Sequence, residues 1–334
     1  MLSLVQLRNT SGERRVALVQ EPKLVLLNAK FGSVYELALN AARDEVALAE
    51  LATQSLDATS IEYDPIYEGS DPEWRLLQAF DHPEEPARCL VTGTGLTHKA
   101  SAENRQAMHS ATAPVSDSMK MYMWGKEGGR PQTGCVGTQP EWFYKGCGTV
   151  LRAHGEALEV PSFAGDGGEE SEIAGLYIVD DDGNPRRVGM AVTNEFSDHV
   201  LEEKNYLYLA PSKLRTCSIG PELIVEPDFS GNRGKATIRR GDRVVWSTEF
   251  FTGDAHMCHT VANLEHHHFK VPQHRRPGDA HVYFYGTDAF SFGDRILMQD
   301  GDVMQIEVEQ FGRPLRNPIR FDPSTEQFVE VRPL

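Results

Sequence analysis

Residues 168–179 read GEESEIAGLYIV, an apolar strand entered through three carboxylates, Glu169, Glu170 and Glu172. Side chains on a strand alternate faces, so Glu170 and Glu172 project to the same side as Ala174, Leu176 and Ile178. The strand meets DDDGNP (180–185), strong turn chemistry, and the chain returns as RRVGMAVTNEF (186–196). With Asp182-Gly183 at the turn centre, the hairpin sets Glu195 across from Glu170, Thr193 from Glu172, Ala191 from Ala174 and Gly189 from Leu176. Three carboxylates then share one face above small residues.

Three such groups in a partly dry site do not all stay ionised without a cation or raised pKa values, since repulsion and desolvation both oppose it. A hard divalent ion resolves this, and oxygen-only ligands suit Mg²⁺, with Mn²⁺ or Ca²⁺ able to substitute. The competing reading is that one or more of these acids caps a strand end in solvent. A one-residue slip in register would turn Glu195 away.

The rest of the chain narrows the function class. A formal net charge of -16 over 334 residues repels nucleic acid and anionic membrane surfaces. No segment offers about 18 apolar residues in a row, and the N-terminus lacks a signal-peptide pattern. The five cysteines have no CxxC spacing, which fits reduced thiols and a cytoplasmic protein.

Two short strands, RRVALVQ and KLVLLNA, precede a helix opened by the capping-box spacing Ser33-Val34-Tyr35-Glu36 and continued through Leu37, Leu39, Ala41, Val46, Leu48 and Leu51. The run DHPEEPARC marks a boundary between a small N-terminal α/β domain, residues 1–82, and residues 83–334. Beyond it, many short β-rich runs with few helical stretches predict an α+β fold, a β-dominated mixed-sheet roll.

The ordered pieces EESEIAGLYIV, VGMAVTNEFSDH, APSKLRTCSIGPELIV, YGTD and GDVMQIEVEQFGRPLRNPI, with QPEWFYKG upstream, resemble the core of the fumarylacetoacetate hydrolase superfamily from about Cys89 to Ile319. GTGLTHKASAENR and NEFSDH are most similar to the bacterial branch of GguC proteins and 2-keto-3-deoxy-L-arabonate dehydratases. Position by position, the resemblance implies that Glu170, Glu172 and Glu195 bind the metal, Lys213 is the active-site lysine and Thr287 takes the substrate carboxylate. Glu195 stands where the superfamily usually has Asp, and the link from Glu172 is shorter than usual, as for a plain hairpin.

The superfamily often places His and Glu three residues apart in the upstream segment, where they handle a proton or a water. Here His98 has Ser101 at that spacing and Glu103 two further on, so the dyad is incomplete. His98 is either chemical or a cap on a glycine-rich turn. Lys145 matches a superfamily position, against the alternative of a snorkelling surface lysine. An ammonium at Lys213 beside three carboxylates balances charge and can move a proton. The histidines of DAHMCHTVANLEHHHF read as a partly exposed helix in preference to a zinc site.

The reaction expected from the resemblance starts with a 2-keto acid on the metal and loss of a C3 proton. A C4 hydroxyl then leaves as water, and the incomplete dyad favours this elimination. The implied protein is a homodimeric Mg²⁺-dependent dehydratase of a 2-keto-3-deoxy sugar acid, such as 2-keto-3-deoxy-L-arabonate going to 2-oxoglutarate semialdehyde, with Lys213 or His98 moving the proton. A hydrolase of acylpyruvate-like or diketo acids, with Glu103 preparing the water, and a non-catalytic sugar-acid binding protein are the alternatives.

Overall fold

The structure is a computed structural model that describes residues 1–109 and 115–334. Its larger sheet has 13 strands. The main path runs Leu56–Glu62, Lys23–Leu27, Arg14–Gln20, Leu2–Asn9, Leu223–Val225, Pro185–Asn194, Ser171–Val179, Ala280–Phe284, Cys89–Gly93 and Phe143–Cys147. Most neighbours are antiparallel, but Ala280–Phe284 pairs with Cys89–Gly93 in parallel, so the sheet is mixed. Five further strands, Arg243–Thr252, Asn232–Arg240, Val303–Val308, Leu315–Phe321 and Leu158–Val160, form a second sheet.

The N-terminal strands join the large sheet through Leu2–Leu4, which pair with Leu223–Val225. Ser33 caps the helix as the spacing predicts, Glu36 N–H donating to Ser33 Oγ at 3.1 Å, but the Glu36 carboxylate accepts the Ser33 hydroxyl at 3.1 Å in place of the backbone N–H of a full capping box. The helical pattern is divided, however, into Val34–Arg43 and Leu48–Gln54, with Glu45 at a φ of 53° between them. A positive φ at a non-glycine residue ends the first helix and lets Val46 turn back onto the core.

Two apolar cores sandwich the acidic hairpin. Ala174, Leu176 and Ile178 pack with the N-terminal helices, while Ile173 and Tyr177 pack toward Ile238, Phe250 and Ile306 of the second sheet. All nine residues of Ser171–Val179 are therefore buried, which explains a strand apolar on both faces.

The hairpin pairing is Ser171 with Asn194, Glu172 with Thr193, Ala174 with Ala191 and Leu176 with Gly189. Near the turn it differs from the expected pattern. Asp180 N–H donates to the Asn184 carbonyl, so the loop holds three residues, Asp181 to Gly183, and Tyr177 pairs with Arg187. Val188 is left unmatched as a β-bulge, and this extra residue brings the return strand into the site register. Without the bulge, the three-residue loop would place Glu195 across from Glu169, on the wrong face.

Candidate functional site

Glu195 N–H donates to the Glu170 carbonyl at 3.0 Å, which extends the hairpin register to the third acid. One ligand oxygen from each of Glu170, Glu172 and Glu195 lies within 4.8 Å of the other two, and all three residues are at most 3% exposed. Lys213 caps the short helix Leu209–Ser212. Its Nζ donates to Glu170 Oε1 at 2.7 Å, Glu195 Oε2 at 2.6 Å and Ser197 Oγ at 2.9 Å. Lys145, on Phe143–Cys147, donates to Glu195 Oε1 at 2.5 Å and to the Phe196 carbonyl at 2.7 Å. At 1% exposure it is a buried counter-ion and does not snorkel.

Three further groups escaped the sequence reading. Arg105, on the helix Lys99–His109, donates to Glu170 Oε1 at 3.3 Å and Glu202 Oε2 at 3.0 Å. Glu202 accepts from Ser212 Oγ at 2.9 Å and lies 3.2 Å from Lys213 Nζ. His199 Nε2 is 3.0 Å from Glu170 Oε1, and its ring stacks on Phe290. Glu202 sits three residues after His199 on one short helix, a same-face spacing that could have flagged it.

Charge is unevenly shared in this cluster. Burial opposes ionisation of Glu170, but Lys213 and Arg105 outweigh it and hold the carboxyl well below its usual range. Glu172 goes the other way: burial, then the charges of Glu195 and Glu170, push it well above that range. Burial also opposes the charge on Lys213, yet Glu170, Glu195 and Glu202 hold its pKa above the ordinary value.

Among the described residues, no lysine, arginine or histidine is ion-paired to Glu172, whose carboxylate accepts only the Gly286 N–H, at 2.8 Å on Oε2. Directly across the hairpin, the buried Thr193 Oγ1 has no partner among the described residues. A bound cation beside Glu172 would supply the missing charge, and three carboxylate oxygens suit a hard divalent ion. The residues present therefore fit Mg²⁺.

Thr287 follows Gly286, and its Oγ1 lies 3.1 Å from the Ser171 carbonyl and 2.8 Å from that of Ala289. Gly286 has φ +96°, and a Cβ there would lie 2.1 Å from Thr97 Oγ1, so only glycine brings this backbone N–H to Glu172. Ser101 Oγ accepts from Arg105 Nη1 at 3.4 Å.

His98 is buried, and its Nδ1 lies 2.9 Å from Thr97 Oγ1. That hydroxyl is spent on the Tyr285 carbonyl, so Nδ1 donates, and Nε2 has no partner among the described residues. Burial, with some help from His256, lowers its pKa to about 3, so the ring is neutral. Glu103 is not brought to the acids; it lies on the exposed face of its helix, 3.0 Å from Lys99.

Glu141, within QPEWFYKG, is a further carboxylate at the edge of the cluster. It accepts from Tyr206 Oη, and its Oε2 would lie 2.2 Å from a Cβ on Gly95. Burial raises its pKa, while the Tyr206 hydrogen bond, and then Arg105 and Lys213, act against that shift.

The helix Val261–Phe269 begins after His256 and His259. His268 Nε2 bonds His281 Nδ1 at 3.0 Å, and Trp142 Nε1 donates to His268 Nδ1 at 3.2 Å, which occupies the ring nitrogens in packing. Among the described residues the three glutamates are the one group with metal-ligand geometry.

No protein-family model and no curated protein matches the chain. Solved structures do. A 2-keto-3-deoxyarabinonate dehydratase superposes with a TM-score of 0.72 at 16% identity, covering 96% of this chain and 100% of the other. A 2-keto-3-deoxy-D-arabinonate dehydratase complexed with magnesium and 2,5-dioxopentanoate gives 0.71 at 17% identity with the same coverage. A 5-carboxymethyl-2-hydroxymuconate delta-isomerase from Mycobacterium smegmatis gives 0.56 at 16% identity, again over 96% of this chain and 100% of its own. The chain thus has the fold of these solved 2-keto-3-deoxyarabinonate dehydratases, an α+β architecture built on mixed sheets as its ordered β-rich runs predict.

Proposed function

We propose that the protein is a Mg²⁺-dependent dehydratase of a 2-keto-3-deoxy sugar acid, with 2-keto-3-deoxy-L-arabonate as substrate and 2-oxoglutarate semialdehyde as product. The observation that carries this reading is the buried group Glu170, Glu172 and Glu195, charge-balanced everywhere except at Glu172. It occurs on the fold of a dehydratase whose structure holds magnesium and 2,5-dioxopentanoate, the same compound as that semialdehyde.

Glu170, Glu172 and Glu195 would hold the ion. An ion held there would supply Lewis acidity to a 2-oxo group and so lower the cost of losing a C3 proton. Thr287 receives the substrate carboxylate. The three N–H bonds of Lys213 are all directed at oxygen acceptors, which makes it a positioning donor. The proton acceptor has to come from a group not already tied to a cation. Glu141 has no ion pair among the described residues and is kept basic by burial, so it removes the C3 proton. His98, neutral with a bare Nε2, is the second acceptor available in the fold. Elimination is preferred to C–C hydrolysis because Glu103, the residue needed to prepare a water beside His98, has a side chain 54% exposed.

The test is incubation of the Mg²⁺-loaded protein with a panel of 2-keto-3-deoxy acids and 2,4-diketo acids, with products identified by NMR. Dehydration of a keto-deoxy acid is expected, with deuterium entering C3 of 2-oxobutyrate in D₂O. Efficient cleavage of diketo acids without C3 exchange would replace the dehydratase by the hydrolase.

A further inference from the structure

The strand that supplies Glu170 and Glu172 also grips the segment after Ala280–Phe284 at two points, using acids of opposite parity. On the site face, Glu172 Oε2 accepts the Gly286 N–H at 2.8 Å. On the other face, Glu169 accepts the Ser291 N–H at 2.6 Å on Oε1 and the Ser291 Oγ–H at 2.7 Å on Oε2. Glu169 is 1% exposed and has no ion pair among the described residues. A buried carboxyl with no counter-ion is costly unless its oxygens are hydrogen-bonded, and here both are, to one residue.

That residue lies in the middle of the loop that carries Thr287. The same loop places Phe290 and Phe292 with ring centroids 4.9 and 5.2 Å from that of His199, which in turn bonds Glu170. The loop is thus fastened at its start by a proposed metal ligand and at its middle by a residue pointing away from the metal group. If the middle is released, Thr287 keeps its bond to the Ser171 carbonyl of the site strand, its turn contact at Ala289 and the neighbouring Gly286 bond, while the loop's other ties, Asp288 to Phe251 N–H and Asp294 to Trp246 Nε1, lie outside the site.

We propose that Glu169 is a positioning residue: by clamping Ser291 it fixes the loop 286–295 and so builds the seat for the substrate's carboxylate at Thr287, separately from metal binding. This rests on the assignment of Thr287 and of the keto-acid substrate made above. It predicts a division of labour within EESE, in which Glu170 and Glu172 govern the ion while Glu169 governs the keto acid.

The experiment compares Glu169→Met, which cannot accept either bond, with Glu169→Gln, which can accept the N–H and exchange a bond with the hydroxyl, and with the milder Ser291→Ala. Calorimetry reads Mg²⁺ affinity first and then 2-oxobutyrate binding to the Mg²⁺-loaded protein. Glu169→Met is expected to keep Mg²⁺ affinity and to weaken keto-acid binding and raise KM by about tenfold to a hundredfold, the span for losing hydrogen bonds to a buried carboxylate. Glu169→Gln should recover most of that loss, and Ser291→Ala should fall between them. Independently of any ligand, amide hydrogen exchange in the metal-free protein should speed up across 286–295 in Glu169→Met. Unchanged 2-oxobutyrate affinity in both Glu169→Met and Ser291→Ala, with normal binding in the wild type, overturns the positioning role and leaves the dehydratase intact. Wild-type protein that binds Mg²⁺ but no 2-oxo acid overturns both.

Discussion

At the scale of single residues, the acids of the cluster are not equivalent, and their differences are testable. Glu172 is the one left without a cation, so Glu172→Gln removes a ligand and also relieves buried repulsion. Calorimetry should show Mg²⁺ binding abolished while the metal-free melting temperature rises; unchanged affinity would dismiss the three-carboxylate site. Lys213→Met does the opposite. It strips a shared cation from Glu170, Glu195 and Glu202, so the metal-free protein should lose about 3–5 kcal/mol of stability in urea titrations. Mg²⁺ binding should persist, with turnover down by about two powers of ten, the cost of misplacing the groups that Lys213 positions. Glu141→Gln keeps an acceptor for Tyr206 but no base. It should lower turnover by a similar factor and stop C3 exchange in D₂O without altering Mg²⁺ affinity. Exchange at the wild-type rate would remove Glu141 from proton transfer.

At the scale of elements, the site hairpin was legible because two local rules, alternation and turn chemistry, act within 26 residues. The pairing of Glu172 with Thr193 matches expectation, but the route to it does not: a longer loop and the Val188 bulge compensate for one another, and nothing in RRVGMAV announces a bulge. Arg105 was not legible, since its role arises only when its helix closes over the hairpin and meets Glu202, for which the His199 spacing was the one local signal. Glu141 left a faint signal. In EWFYK, Glu141, Phe143 and Lys145 share one strand face, which buries Phe143 and Lys145, while Trp142 and Tyr144 face solvent. The loop after Ala280–Phe284 shows how much one element can depend on a single position. Gly286→Ala forces a Cβ against Thr97 and strains a positive φ, at a cost of about 1–3 kcal/mol. Thermal melts should show the loss, and keto-acid binding should weaken more than Mg²⁺ binding. A variant with normal keto-acid affinity would mean the loop tolerates another backbone path.

At the scale of the whole molecule, one sheet ties the N-terminal strands to the hairpin, and His154 is a second tie. Its Nε2 lies 3.1 Å from the Tyr67 carbonyl, its Nδ1 accepts the Arg316 N–H at 3.2 Å, and its ring stacks on Tyr67. Burial lowers its pKa to about 4, below the ordinary 6.5. As pH falls the unfolded chain takes up this proton first. The stability from His154 is therefore complete above about pH 6.5 and is lost toward pH 4, at up to about 1.4 kcal/mol per pH unit. Urea midpoints measured from pH 7 to 4.5 should fall less steeply in His154→Gln; parallel profiles would refute the link. The continuity of the sheet also bears on how the chain is made. Ser3 pairs with Ile224, so the strand Leu2–Asn9, once synthesised, must wait for a partner more than two hundred residues behind it. At ordinary translation speeds that wait is on the order of ten to forty seconds. During it, one edge of the newborn N-terminal sheet stays open to chaperones and to neighbouring nascent chains.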